Sequence, residues 1–85
     1  LNFYGITAKS ILNQVKVIRV EEDSPSMFSG LIPGDILIAI DNYQIQEVED
    51  INKLLRKGNK SVISYFRNGL LNQCDIIMDN KLKRR

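Results

Sequence analysis

The chain has 85 residues, 44% of them hydrophobic and 26% charged, with a formal net charge of +2. That is the composition of one globular domain, too weakly charged to imply a nucleic-acid or membrane partner by itself. The absence of histidine excludes Ser-His-Asp and Cys-His catalysis and HExxH zinc sites, and the single cysteine, Cys74, excludes an internal disulfide.

The first element is a short extended stretch, Phe3 to Lys9, interrupted by Gly5, where a glycine marks close approach of another backbone or a ligand. Ser10 to Gln14 reads as a polar connection. Val15, Val17, Ile18 and Val20 form the next strand, and its alternation shifts phase at Val17-Ile18, as at a bulge or a twist. Ser24 as N-cap, Pro25 at the first helical position and Gly30 just past the end punctuate a short helix. Met27 and Phe28 are expected to be buried in it, with Leu31 packing beneath. Pro33-Gly34 is a turn, and Asp35 to Ile40, apolar on both faces, reads as a central strand buried on both sides. Asp41-Asn42 turns the chain into a short strand, Tyr43 to Ile45.

Val48 to Lys57 reads as the main helix, with Val48, Ile51, Leu54 and Leu55 in one apolar stripe. Acids lead it and bases follow, as the macrodipole favours. Neither Gln46 nor Glu47 is a good N-cap, and Gly58 is the expected stop. Gly58-Asn59-Lys60-Ser61 resembles the end of a phosphate-binding loop but lacks the upstream glycine, so it is read as that stop. Ser61 to Arg67 and Leu70 to Asp79 flank Asn68-Gly69, a strong hairpin signal. Leu70, Cys74, Ile76 and Met78 share one face of the second arm, making Cys74 a buried small hydrophobe rather than a reactive thiol. The expected domain spans residues 1–79, followed by a basic tail or linker, residues 80–85. No apolar run approaches the ~20 residues of a membrane span. The opening without Met is expected of a fragment of a longer protein, and no carboxylate pair or metal-ligand cluster marks a catalytic site or cofactor. The fold class is α+β, a small antiparallel sheet or partly open barrel capped by two helices.

The run Ser24-Pro25, Gly30-Leu31, Gly34-Asp35, Ile40-Asp41 resembles the most recognisable stretch of PDZ domains. The element order is similar to the circularly permuted form attached to bacterial proteases, and the resemblance covers nearly the whole chain. By that resemblance, Pro33-Gly34 is a structural turn that feeds a core strand and marks no binding site.

PDZ domains bind extended peptides, usually C-terminal ones, by adding a strand to a sheet edge beside a helix. The resemblance implies a carboxylate-binding loop at Tyr4, Gly5 and Ile6, following Phe3, with backbone N–H groups converging on the anion. It implies a peptide edge along Ile6, Thr7, Ala8 and Lys9, with Ile6 and Ala8 toward the groove. The same resemblance implies that Val48, Asn52 and Leu55 form the opposite wall, whereas Ile51 and Leu54 belong mostly to the core. Ile6 and Leu55 then floor a pocket for an apolar C-terminal side chain. Val48 stands where histidine selects Ser or Thr in animal domains, which implies an apolar preference two residues before the terminus. Tyr4 stands where leucine is usual, so its ring is expected to fill part of the pocket.

The implied partners are peptide or protein C-termini with an apolar last residue and a parent protease domain. The alternatives are a structural module with a closed groove and a protein-contact domain of a secretion system. Composition assigns no compartment.

Overall fold

A computed structural model of the chain describes residues 4–55 and 60–78. Six strands and two helices follow in the order β1 (Ile6–Ile11), β2 (Gln14–Val20), α1 (Pro25–Ser29), β3 (Ile36–Ile40), β4 (Tyr43–Gln44), α2 (Glu49–Leu54), β5 (Lys60–Arg67) and β6 (Leu70–Ile77). The strands make one antiparallel sheet in the order β1-β2-β3-β5-β6, with β4 pairing to β3. Among the described residues the sheet is open, with β1 and β6 at its edges. Phe3, the 56–59 stretch containing the expected helix stop Gly58, and residues 79–85, including the basic tail, lie outside the described residues.

The β1–β2 hairpin is tighter than the sequence suggests. β1 continues to Ile11 and β2 starts at Gln14, so the expected polar connection is reduced to Leu12-Asn13. Both turn residues have positive φ, 51° and 63°, the geometry of a two-residue turn that matches the twist of the paired strands. Leucine is a poor choice for that conformation, which is why the turn escapes a reading from residue types. The expected phase shift is present: Thr7 pairs with Arg19 and Ala8 with Val17, leaving Ile18 as the bulged residue. Asn68-Gly69 makes the β5–β6 turn, again with positive φ at both positions.

Helix α1 has the punctuation expected of it. The Ser24 hydroxyl accepts from the Met27 N–H at 3.2 Å. Gly30, in the left-handed region, donates to Met27 O while Leu31 donates to Ser26 O, the two closing bonds of a Schellman motif. The expected burial within it does not hold. Met27 and Phe28 are 36% and 63% exposed, whereas Ser26 is fully buried and Leu31 nearly so. A five-residue helix turns few side chains inward, and here the inward position falls on Ser26.

In β3, Leu37 and Ile40 are buried, but Ile36, Ile38 and Ala39 are only half-buried. The strand is central by pairing, while its second face is partly open rather than buried as expected. The core joins Leu37 and Ile40 to Tyr4, Ile6, Val15, Val17, Ile51, Leu55, Ile63, Tyr65, Ile76 and Met78. Cys74 is half-buried against this core, and burial pushes its thiol above the ordinary range. Leu70 shares that face in register but is exposed at the hairpin end.

Asp35, immediately after the Pro33-Gly34 turn, is 1% exposed. Its carboxylate accepts from the Ile32 N–H at 2.9 Å and from Arg67 Nε and Nη2, each at 2.8 Å. Arg67 also donates to Gly30 O at 2.8 Å. One bidentate ion pair therefore fastens the α1–β3 connection to the end of β5.

Candidate functional site

The loop before β1 is built by close packing against α1. Gly5 has φ of +83°, and a Cβ added there would lie 2.3 Å from Ser24 Cβ and 2.4 Å from Ser24 Oγ. No other residue type fits, both for φ and for space. The Gly5 carbonyl accepts from the Glu21 N–H at 2.8 Å and the Tyr4 carbonyl from the Ser26 N–H at 3.1 Å. Ser24 Oγ, besides capping α1, donates to Glu21 O at 2.7 Å. The helix cap and the glycine loop are thus one packed unit, which sequence spacing alone does not disclose.

Along β1 the side chains alternate. Ile6 is buried and Ala8 half-buried against the core, while Thr7 and Lys9 are exposed. Among the described residues β1 pairs only with β2, so its other side is a sheet edge.

Helix α2 is shorter than the apolar stripe suggests. It begins after Val48, which offers no side-chain cap. Instead the Asp50 carboxylate accepts from the N–H groups of Gln46 and Glu47 at 2.9 and 3.0 Å. Those two bonds hold the Asp50 carboxyl below its ordinary range. Leu55, expected inside the helix, has φ −86° and ψ 129° and is its extended C-cap. Its side chain is nonetheless 2% exposed and belongs to the core with Ile51. Burial of Leu55, rather than helical spacing, decides where the chain turns inward. Val48 and Leu54 are half-buried and Asn52 is exposed.

One contact joins the two sides. The Tyr4 hydroxyl donates to Asn52 Oδ1, 48 residues away in sequence. Tyr4 is 3% exposed, and burial raises its phenol above the ordinary range, so the group is a neutral donor at physiological pH. The structure therefore brings Tyr4, Ile6 and Leu55 into one buried cluster and ties Asn52 to it, with Val48 packed at its margin. A separate hollow of about 60 Å³ lies beside the other edge strand, lined by Pro25, Phe28, Ser29, Asp75 and Ile77. Among the described residues no group of acidic or cysteine side chains is placed to hold a metal.

Among the described residues, an open antiparallel sheet of six strands with two short helices, in this order, defines a small α+β fold. The PDZ domain family matches residues 16–64, more than half of the chain, and the chain belongs to that family. It is 29% identical over 69 residues to a probable periplasmic serine endoprotease, DegP-like, of Chlamydia pneumoniae, covering 81% of this chain and 13% of that protein. It is 32% identical over 69 residues to a putative zinc metalloprotease of Borreliella burgdorferi, covering 79% of this chain and 16% of the relative. The fold is similar to that of the HtrA-type protease AlgW solved with a decapeptide, with a TM-score of 0.80 at 24% identity over 87% of this chain and 27% of that one. The chain spans about an eighth of the first relative's length.

Proposed function

We propose that this chain is the peptide-recognition domain of a bacterial protease, taking the C-terminal segment of a peptide as an added strand on β1. The observation that carries this reading is the place of β1 at the edge of the described sheet, headed by the Gly5 loop and linked through Tyr4–Asn52 to α2. An exposed edge gives backbone hydrogen bonds to an incoming strand, while alternate side chains give specificity. In this reading the loop Tyr4-Gly5-Ile6 receives the terminal carboxylate. Thr7, Ala8 and Lys9 run beside the peptide, and Val48, Asn52 and Leu55 face it. Burying an apolar terminal side chain contributes about 0.8 kcal/mol per CH2 group, offset in part by ordering of the peptide. The protease relatives, in which the matching stretch is a small part of a longer chain, support a parent protease. They include both a serine endoprotease and a zinc metalloprotease, so either chemistry suits the parent.

The test is an amide NMR titration with peptides ending in apolar residues, with free and with amidated termini. Shifts confined to Tyr4–Lys9 and Val48–Leu55, and seen only with the free carboxylate, are expected. Shifts with both forms would extend recognition to internal segments. No shift at millimolar peptide would favour the second reading, a structural module with a closed groove. That reading has its own observation in the buried floor and the Tyr4–Asn52 bond.

A further inference from the structure

In a site that seats a terminal side chain on Ile6 and Leu55, those two residues should be open to solvent before the peptide arrives. Here they are 3% and 2% exposed. Tyr4, itself 3% exposed, lies in the same cluster as Ile6, Ile51 and Leu55. Its hydroxyl is held by Asn52 on the exposed side of α2. Tyr4 is thus held at both ends, its backbone by the bond from Ser26 N–H to Tyr4 O at 3.1 Å and its ring by the hydroxyl bond to Asn52. A large terminal side chain seated on Ile6 and Leu55 competes with the Tyr4 ring for room in that cluster. Displacing the ring breaks the hydroxyl bond and exposes apolar surface, and a small terminal side chain displaces it least.

We propose that the Tyr4–Asn52 pair sets the size of the terminal residue this groove accepts, restricting it to small apolar side chains such as Ala and excluding Leu and Phe. The inference rests on the peptide-recognition reading and names its specificity. Tyr4 supplies the bulk that shortens the pocket, and Asn52 is the positioning residue that keeps the bulk in place.

The test uses peptides identical except for a last residue of Ala, Val, Leu or Phe, with free carboxylates. They are titrated into the 85-residue chain and into its Tyr4→Leu, Tyr4→Phe and Asn52→Ala variants. Amide spectra of each variant first establish that it is folded. The unaltered chain should bind the Ala peptide at least about tenfold more tightly than the Phe peptide, the scale on which a pocket discriminates by size. Tyr4→Leu should reverse that order. Tyr4→Phe and Asn52→Ala, which keep or free the ring without its tether, should each shrink the discrimination by about threefold or more, the weight of one hydrogen bond. An identical rank order in the unaltered chain and the folded Tyr4→Leu variant would overturn this inference and leave peptide recognition standing. Failure of every peptide to bind any folded variant would overturn both.

Discussion

Gly5 is the residue whose replacement the fold accommodates least. Its left-handed φ and the 2.3 Å approach to Ser24 Cβ act together, so Gly5→Ala must strain the backbone and push the α1 cap away. We expect a loss of at least about 2 kcal/mol in urea unfolding, with the amide signals of Ser24 to Met27 displaced. Gly30 has space around it by the same test, and Gly30→Ala should cost less because only its φ is at stake. Tyr4 yields a second prediction at this scale. Burial raises its phenol in the folded state, so the folded chain holds that proton more tightly than the unfolded one. The associated stability is complete below the ordinary tyrosine range near pH 10 and is lost as pH rises through the folded value. An ultraviolet titration of the chain against Tyr4→Phe should show the missing tyrosine as a late-titrating one. A difference spectrum at or below the ordinary range would contradict the burial.

The two helices differ in how they are held at their starts. Ser24, Pro25 and Gly30 specify α1 locally, by residue types whose backbone preferences coincide with the bonds they make. Its boundaries are accordingly legible in the sequence. α2 lacks an N-cap side chain at Val48, and Asp50 reaches back to Gln46 and Glu47 instead. The lowered Asp50 carboxyl makes this contact a source of stability above the ordinary carboxylate range, lost as pH falls through the folded value. On acidification the amide signals of Gln46 and Glu47 should therefore move together, with a midpoint below that of an unstructured aspartate. Asp50→Ala should abolish that step and fray the first turn of α2. At its other end, helical spacing extends the apolar stripe to Leu55, but the core takes Leu55 in an extended conformation. A periodic pattern reports which side chains face inward, and an extended residue can satisfy it as well as a helical one.

At the scale of the whole molecule, Asp35 and Arg67 join segments 32 residues apart. The pair is asymmetric, with the Asp35 side chain 1% exposed and the Arg67 side chain 33% exposed. Removing the acid leaves a partly solvated cation and an unsatisfied Ile32 N–H, so the cost falls below that of breaking a fully buried pair. We expect Asp35→Ala to destabilise the domain by about 2–3 kcal/mol. Arg67→Ala should do at least comparable damage by stranding the buried carboxylate. Both should lower the denaturation midpoint with the denaturant slope unchanged. A change confined to local amide exchange near Gly30 would show instead that the pair acts only on the loop. Neither residue touches the proposed groove, so peptide affinity of the folded variants should stay as it was.

Local punctuation was enough to determine the bounds of α1, the β5–β6 hairpin and the phase shift at Val17-Ile18. Each rests on contacts or backbone preferences within a few residues. The resemblance of the Ser24-to-Asp41 run to PDZ domains likewise rested on cap and turn chemistry that a short segment carries by itself. Only the tertiary structure decided that Gly5 packs on the Ser24 cap, that Asp35 pairs with Arg67, and that Tyr4 reaches Asn52. It alone also decided that Phe28 faces solvent and that Leu55 leaves the helix. These arrangements join positions far apart in the chain or depend on which face the remaining core leaves uncovered. Spacing along the sequence constrains neither, because the closing of each contact is set by the packing of every element between its partners.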